Sequence, residues 1–518
     1  MIGGPRSDRN PDAWAAQPER SLDPAEPRSE RSLDPEDWEA ARALGHLMVD
    51  DAIEYLRHVR ERRTWSPIPR RVKETYTTPL PLEPTPVAEV YAEFHQTILP
   101  FPPGNIHPRF WSWVHGTGTF TGALADMMAS VMNANCAIGE HSAMYIDRQV
   151  LGWCKTMMGF PAEAGGLLVS GGSMANFTAL AVARERARER AAAARESAAA
   201  ERAPGSAGKA PEGREAGSLV AYGSSETHQC VAKALKILGL ENLAVIPVGD
   251  DYRIRLDLLR ERIAADRAAG KVPFCIIGNA GTVNTGAIDD LGALRIIANE
   301  EGLWFHIDGA FGALARLVGR TDLEAVGDAD SVAFDLHKWM YIPYEVGCVL
   351  IRDAEVQRRT FSTPAHYLVA HDRGLASGPD SYSNQGIELS RGFKALKVWM
   401  SIKEHGIKRY GEQIAQNIAQ AAYLGELIKS CPELELMAEV TLNVVCFRFR
   451  ADDSPTRDLD ALNKELLMRL HESGVAAPSF TLLKGHYVIR VAITNHRTRM
   501  EDMRILVKTI IDISRDMI

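Results

Sequence analysis

The strongest constraint on the fold is an alternation of short apolar runs with helical segments that begins near residue 118. The helical segments, such as 255–268 and 290–301, repeat their apolar residues with a helical period. Short runs that are apolar along their whole length are typical of a mostly parallel sheet covered by helices on both faces. We therefore expect a large α/β domain over residues 118–399. The apolar runs cover residues 167–169, 219–222, 244–248, 274–277, 303–307, 332–334 and 347–351.

The segments on either side predict three further parts. Residues 1–33 are rich in Pro, Ser, Arg and acidic side chains and carry few large apolar groups, so we expect a disordered tail. Residues 34–117 predict an N-terminal helical arm, in which Asp34 caps an amphipathic helix and a Pro-rich stretch follows. Residues 400–518 carry two candidate strands between helices, which predicts a small α+β C-terminal domain. Within the large domain, the Ala, Arg and Glu-rich tract 184–217 indicates a solvated helix extension and loop.

Composition narrows the class of function. A chain of 518 residues with 46% apolar side chains can bury a large core, and its formal charge of -8 gives no basic field for nucleic acid or anionic membrane. We expect a small-molecule partner. The seven cysteines include no CxxC pair and no Cys/His cluster at zinc-ligand spacing, which fits a reducing cytoplasm and predicts no metal site. No signal-type apolar segment and no stretch of about 18 apolar residues occurs, which predicts neither export nor membrane insertion.

Two chemically active sequences each follow an apolar run. They are FHIDGA at 305–310 and DLHKW at 335–339. Because the carboxyl ends of parallel strands meet at one edge of a sheet, we expect Asp308 and Lys338 to reach the same crevice. The pair alone admits two interpretations. One is a structural ion pair, and the other is a site for pyridoxal 5′-phosphate (PLP), in which a lysine forms an imine with the cofactor and a carboxylate keeps the pyridine nitrogen protonated.

Three further strand ends offer the other groups that PLP requires. Residues 168–176 (LVSGGSMAN) predict a strand, a glycine turn and a helix start, where backbone N–H groups and the Ser173 hydroxyl can approach a phosphate. This turn lacks the GxGxxG and P-loop patterns of nucleotide sites. His228 can lie flat on a pyridine ring, although a capping or surface histidine is the alternative. Thr282, after the next run, can donate to the ring oxygen of the cofactor.

Together these residues resemble the PLP-dependent amino-acid decarboxylases of the aromatic L-amino-acid, glutamate and histidine decarboxylase group. The resemblance extends from about residue 37 to residue 515, and its most specific parts are HxDxA at 306–310 and HKW at 337–339. It implies a fold of the aspartate-aminotransferase type (fold type I) and a homodimer with active sites at the subunit interface. It also implies that the N-terminal arm wraps the partner subunit.

The resemblance implies a role for each residue of the cofactor site. Lys338 is the lysine that forms the imine, Asp308 pairs with the pyridine nitrogen, and His228 stacks on the ring. Thr282 lies near the cofactor hydroxyl or Asp308.

On the phosphate side, the resemblance implies contacts from Gly172, Ser173 and His337. One position departs from the pattern, because Asp335 stands where many relatives have an asparagine that faces the phosphate. A carboxylate there is repelled by the phosphate unless it turns away or is compensated. We therefore do not predict Asp335 as a ligand.

Tyr367, in the segment TPAHYL at 363–368, resembles the tyrosine of the family's mobile catalytic loop. That tyrosine is thought to protonate the carbanion after CO2 leaves, and relatives that form an aldehyde tend to carry phenylalanine instead. Tyr367 therefore favours simple decarboxylation to an amine and CO2. A tyrosine in an ordinary surface loop is the alternative, and an aldehyde synthase or an aminotransferase is the alternative function.

The substrate side chain is less well determined. Trp113 and His115 align with the wall that holds the side chain in aromatic decarboxylases, which favours an aromatic amino acid. The opposite wall falls on Asn133 and Asn135, which favour a smaller, more polar or acidic substrate. Ordinary core packing is the alternative for the aromatic residues. Arg391, also in a family pattern, is open between a carboxylate or phosphate contact and a structural ion pair.

Overall fold

The computed structural model describes residues 32–200, 219–240, 242–363, 371–450 and 458–517, without the side chains of 198 and 199. The chain divides into two compact units, Met1–Arg57 and His58–Ile518. The described part of the first unit holds helix α1 (Trp38–Arg57). Its N-cap is Asp37, whose Oδ1 accepts from the N–H groups of Glu39 and Ala40 at 2.9 and 3.0 Å. The predicted cap, Asp34, lies too early, and residues 1–31 of the predicted tail lie outside the described residues.

The second unit contains the remaining helices and all the described strands. Its helices are α2 (Arg70–Thr75), α3 (Val87–Glu93), α4 (Phe120–Met132), α5 (Ser142–Met158), α6 (Gly172–Ala200), α7 (Gln229–Ile237), α8 (Leu256–Ala268), α9 (Leu291–Glu301), α10 (Leu336–Trp339), α11 (Ala354–Phe361), α12 (Lys394–Lys429), α13 (Leu459–Ser473) and α14 (Met500–Arg515). Its strands are β1 (Phe110–Trp111), β2 (Gly165–Val169), β3 (Leu219–Ser224), β4 (Leu243–Ile246), β5 (Val272–Asn279), β6 (Trp304–Asp308), β7 (Ser331–Asp335), β8 (Gly347–Ile351), β9 (Leu434–Leu436), β10 (Val444–Phe449), β11 (Ala477–Leu483) and β12 (His486–Ala492).

Seven strands form a central sheet in the order β2-β8-β7-β6-β5-β3-β4. Strand β8 is antiparallel to both of its neighbours, and the other pairs are parallel. Strands β2, β6, β7 and β8 are buried at every residue, since helices cover both faces of the sheet. Each predicted apolar run forms one of these strands, and the predicted α/β class is confirmed. Every strand except β8 therefore ends at the same edge.

A second sheet has five strands in the order β1-β11-β12-β10-β9. Its edge strand β1 pairs in parallel with β11 and comes from the segment predicted as the N-terminal arm. Trp111 of β1 is fully buried in the core between this sheet and helices α12, α13 and α14. Helix α12 runs across the predicted boundary at 399/400 and kinks at Gly406, where φ is 69°. The division between a large domain ending at 399 and a small domain beginning at 400 therefore stays a proposal. Among the described helices, none has the length and apolar content needed to cross a membrane.

Candidate active site

A cavity of about 350 Å³ lies at the edge of the central sheet where β2, β3, β5, β6 and β7 end. The parallel strands bring together segments that are far apart in the sequence, since the loops that follow them converge at one edge. Tyr367, the remaining predicted catalytic residue, lies outside the described residues. The cavity wall contains all the residues predicted for the cofactor: Gly172, Ser173, His228, Thr282, Asp308, His337 and Lys338.

The glycine turn between β2 and α6 leaves room for a ligand because it carries no side chains. A Cβ atom on Gly172 would lie 3.0 Å from Oδ2 of Asp335, and one on Gly171 would lie 3.2 Å from Cε1 of His337. Helix α6 begins at Gly172, so its first N–H groups lack partners within the helix and carry partial positive charge. The exposed Ser173 adds a hydroxyl at the same point. The turn can therefore hold an anion such as a phosphate.

Lys338 forms an ion pair with Asp335 in this structure and not with Asp308. Its Nζ lies 2.9 Å from Oδ2 of Asp335, the last residue of β7. Burial lowers the pKa of Lys338, but the carboxylates of Asp335 and Asp308 outweigh it, so the pKa is raised overall. The neighbouring His337 donates from Nδ1 to the carbonyl oxygen of Val346 at 2.9 Å. Burial lowers the pKa of His337, which favours its neutral form near pH 7.

Asp308 is a buried carboxyl group at the end of β6. Burial raises its pKa, while His228, the N–H of Ala310 and Lys338 act in the opposite direction. Its Oδ1 accepts from the N–H of Ala310 at 3.2 Å. His228 caps α7, because its Nδ1 accepts from the N–H of Cys230 at 3.3 Å. The neutral ring of His228 therefore carries its proton on Nε2, and burial lowers the pKa of this histidine.

Thr282 lies in the loop after β5, which the second sheet holds in place. Its N–H donates to the carbonyl of Ala287 at 2.8 Å. Arg490 of β12 is buried and donates to the carbonyl oxygens of Asn284 at 3.1 Å and Trp113 at 2.8 Å. The loop position thus depends on an arginine about 200 residues further along the chain, and no local pattern in the sequence indicates this contact.

A buried hydrogen-bond chain connects the glycine turn with the interior of the sheet. Trp304 Nε1 donates to Ser331 Oγ at 2.8 Å, and an indole nitrogen can only donate. Asn176 Oδ1 can only accept, so His306 Nε2 donates to it at 2.7 Å. Burial lowers the pKa of His306 to about 3, so its ring is neutral and Nδ1 accepts from the Ser331 hydroxyl at 2.9 Å. Asn176 Nδ2 donates to the carbonyl of Gly172 at 2.8 Å. The direction of every hydrogen bond in this chain is fixed.

Asn176 also lies against the site carboxylate. Its amide lowers the pKa of the Asp308 carboxyl group, after the larger effects of burial, which raises that pKa, and of His228, Ala310 and Lys338, which lower it. Asn176 had no predicted role, although it follows Gly172 by one helical turn. That spacing places its side chain beneath the glycine turn and was the available signal.

We predict that Asn176→Ala destabilises the protein by about 1–3 kcal/mol, because it leaves the buried Nε2–H group of His306 without its partner. Urea unfolding with PLP removed measures this effect. Thr178→Ala, in the same helix, is the control, since the Thr178 hydroxyl bonds only the carbonyl of Met174. Equal losses in the two variants would contradict the connecting role of Asn176.

Other wall residues escaped the sequence analysis because they are apolar or lie between the recognisable motifs. Among these described wall residues, Glu226 has an acidic side chain, and its carboxylate accepts from Nδ2 of Asn284 at 3.0 Å. Burial raises the pKa of Glu226. The unpredicted wall residues include Val114, Met174, Asn176, Glu226, Cys230, Asn279, Val283, Ala310 and Phe311.

The predicted substrate residues Trp113 and His115 lie outside the cavity wall, in an aromatic cluster beside it. The ring centroids of Trp113 and His115 are 5.2 Å apart, and Tyr344 lies 6.0 Å from His115 and 4.5 Å from His337. Trp113 is 59% exposed. The cluster therefore extends outward from the cavity. Asn133 ends α4 with φ of 47°, a left-handed conformation that asparagine tolerates, which explains its presence there.

Asn135, the third predicted substrate residue, is also outside the wall, and its Oδ1 accepts from the backbone N–H of Arg391 at 2.9 Å. The Arg391 guanidinium donates to the carbonyls of Cys136 at 2.8 Å and Leu168 at 2.9 Å. Its charge faces Asp147 at 3.5 Å. These contacts fit the structural interpretation of Arg391.

Comparisons with known proteins identify the family. The model described as the pyridoxal-dependent decarboxylase conserved domain matches residues 69–450. An aromatic-L-amino-acid decarboxylase of Bacillus atrophaeus is 33% identical over 473 residues, which cover 90% of this chain and 93% of that protein. A histidine decarboxylase of Drosophila melanogaster is 30% identical, over 89% of this chain and 54% of that protein. The crystal structure of TDC from Oryza sativa with PLP and tryptamine has a TM-score of 0.82 at 24% identity, and the match covers 94% of this chain and all of that one.

The chain belongs to the pyridoxal-dependent decarboxylase family. It is a PLP-dependent carboxy-lyase that acts on an amino acid, and its fold is of type I. The cavity fits this cofactor, since it offers a side-chain-free turn for the phosphate, a buried carboxylate for a ring nitrogen and a lysine for the aldehyde. PLP, when bound, supplies an acceptor for the electron pair that is released when the bond from Cα to the carboxylate breaks.

Proposed function

We propose that the protein decarboxylates an aromatic L-amino acid to the amine and CO2, at the cavity described above. The observation that carries this proposal is the convergence of Lys338 and Asp308 with the glycine turn in one cavity. The aromatic preference is supported by the relative from Bacillus atrophaeus and by the aromatic cluster beside the cavity.

In this proposal Lys338 and Asp308 have separate roles toward the cofactor. Lys338 would hold PLP through its side-chain amine. Asp308 would keep the ring nitrogen protonated. Burial disfavours the ionised form of Asp308, and the positive charge of a protonated ring nitrogen beside it would offset that effect. His228 covers one face of the ring. Its neutral state allows close contact with an electron-poor ring without charge repulsion.

The phosphate is held by Gly172, Ser173 and His337 in the same proposal. The Ser173 hydroxyl and the free N–H groups at the start of α6 donate to its oxygens. Thr282 contacts the cofactor hydroxyl or Asp308. These contacts would hold the cofactor at its phosphate and at its hydroxyl, which would fix its position relative to the substrate.

Tyr367 is proposed to give a proton to Cα after CO2 leaves. We predict that Tyr367→Phe lowers amine formation by about 10²-fold or diverts the product to aldehyde and ammonia, because the substitution removes the acid that the proposal assigns to Cα. Chromatography of amine, aldehyde and ammonia measures the outcome. Tyr145→Phe is the control, since Tyr145 is an exposed tyrosine that bonds Glu140. Unchanged amine formation in Tyr367→Phe would exclude the role.

Substrate choice is tested by comparing kcat/KM for aromatic L-amino acids, L-histidine, L-glutamate and small polar L-amino acids. We expect the aromatic group to lead. Trp113→Ala should raise KM for aromatic substrates by about 3- to 10-fold, the value of one aromatic contact, and leave other substrates unchanged. A preference for glutamate or a small polar amino acid would instead support the alternative that Asn133 and Asn135 suggested.

We also propose a homodimer. Helix α4 exposes the apolar side chains of Met127, Met128, Val131 and Met132, and apolar patches of this kind mark association surfaces. Light scattering after size exclusion should give twice the chain mass of 57.0 kDa. The wrapping of the N-terminal arm around the partner and a cytoplasmic location belong to the same set of proposals.

A further inference from the structure

Asp335 is a buried carboxyl group in the wall of a cavity that must also accept a phosphate. It is 1% exposed, and its Oδ1 has no hydrogen-bond partner among the described residues. Buried polar atoms without a partner are uncommon and call for an explanation. The ion pair with Lys338 provides a partner for Oδ2 but not for Oδ1.

The carboxyl group lies directly against the glycine turn. A Cβ atom would lie 3.0 Å from Oδ2 if built on Gly172, and 3.6 Å from Oδ1 if built on Gly171. A Cβ on Gly347 of β8 would lie 2.7 Å from Oδ1. Glycines therefore surround both oxygens, and a phosphate seated on the turn meets this carboxyl group at close range.

Few charged groups face Asp335. On α10, Lys338 Nζ lies at 2.9 Å and His337 Nε2 at 3.8 Å from Oδ2. At longer range Asp335 interacts with His228 at the start of α7 and with Tyr344. Burial lowers the pKa of His337 and of His228, so Lys338 is the main positive charge among these neighbours.

The other ionisable neighbours do not add positive charge. Cys230 of α7 interacts with Asp335, and burial raises the pKa of its thiol. Asp308 of β6 shares the interaction with Lys338 and carries the same sign as Asp335. Strand β8 and the start of α6 present glycines and Ser173. Apart from Lys338, which PLP would engage when bound, no side chain of this described set offers Asp335 a full positive charge.

We propose that Asp335 is protonated when PLP is bound and donates a hydrogen bond to the phosphate. Binding of the cofactor then adds one proton at this residue. The proposal rests on the proposed position of the phosphate at the glycine turn. An O–H group between carboxyl and phosphate replaces the repulsion of two anions by a charge-assisted hydrogen bond. The proton comes from solvent, and no covalent bond to Asp335 changes.

Linkage sets the sign of the pH effect. Without PLP, Oδ2 of Asp335 faces Nζ of Lys338 at 2.9 Å. Wherever binding of PLP takes up one proton, the dissociation constant of PLP rises about tenfold for each pH unit. Asp335→Asn lacks this proton and should bind PLP with a shallower pH dependence and more tightly at alkaline pH.

The experiment is titration calorimetry of the full-length protein, stripped of cofactor, with PLP in buffers of different ionisation enthalpy. Because Asp335 also raises the pKa of Lys338, replacing it changes the proton balance of imine formation as well. The calorimetric proton uptake is therefore read together with infrared difference spectra of wild type and Asp335→Asn, each with and without PLP. We expect a carbonyl stretch of a protonated carboxyl group in wild type that Asp335→Asn lacks, and identical spectra would overturn the inference.

Two readouts keep the test decisive. The visible band of lysine-bound PLP must form in both proteins, since a wild type without the band would overturn the proposed function itself and not only the role of Asp335. If the variant fails to fold, infrared difference spectra of wild type with and without PLP take its place. A new carbonyl stretch of a protonated carboxyl group that shifts in D2O supports the inference, and its absence overturns it.

Discussion

Replacing Lys338 by alanine is expected to remove the visible absorption band of the bound cofactor and to lower the decarboxylation rate by about 10³-fold or more. Lys338 is the only lysine in the described cavity wall, so no neighbouring amine can replace it. The substitution also leaves Asp335 without its partner at 2.9 Å, and stability must therefore be measured alongside activity.

Two further variants distinguish the loss of imine formation from the loss of a buried positive charge. Lys338→Arg keeps a positive charge near Asp335 but does not form an imine, so it should lose the band while retaining more stability than Lys338→Ala. Lys397→Ala is the matched control, because Lys397 is also buried and bonds Asp126 at 3.0 Å, away from the cavity wall. It should keep the band. A persisting band in Lys338→Ala would mean that another group holds the cofactor.

Asp308→Asn should lower kcat by roughly 10²–10³-fold while the protein still binds PLP. The amide keeps the size of the side chain but cannot carry the negative charge that holds a proton on the ring nitrogen. Rapid-quench measurement of amine formation, together with the absorption spectrum, checks both parts of this expectation.

The control for Asp308 is another buried carboxyl group with a structural function. Asp289 accepts from the N–H groups of Ile254 and Asn279, each at 2.8 Å, and burial raises its pKa as it does for Asp308. Asp289→Asn should cost stability and leave kcat of the folded fraction within about threefold. If the two variants lost kcat equally, the special role of Asp308 would be excluded.

The central sheet could be predicted because each strand is buried on both faces and so appears as an uninterrupted apolar run. The cofactor residues could be predicted because functional groups follow directly after those runs. Strand β1, with two residues, is too short to show a pattern, and it pairs with β11 across more than 360 residues of sequence.

Contacts between distant segments were beyond reach of the sequence. The bond between His306 and Asn176 spans 130 residues, and nothing local in either segment specifies it. The partner of Lys338 was a different kind of miss. We expected Lys338 to face Asp308 because both follow apolar runs, and we excluded Asp335 as a ligand because a phosphate repels a carboxylate. The structure pairs Lys338 with Asp335, three residues before it. Trp113 and His115 lie beside the cavity and not in its wall, so the substrate side chain stays a proposal.

The most direct test of the account is the fate of the carboxyl carbon in an aromatic L-amino acid labelled with ¹³C at that position. Purified protein loaded with PLP should release labelled CO2 and the unlabelled amine in equal amounts, as measured by mass spectrometry. Lys338→Ala should release neither. Retention of the label in a keto acid, or the absence of any amine from a panel of L-amino acids with PLP visibly bound, would contradict the account.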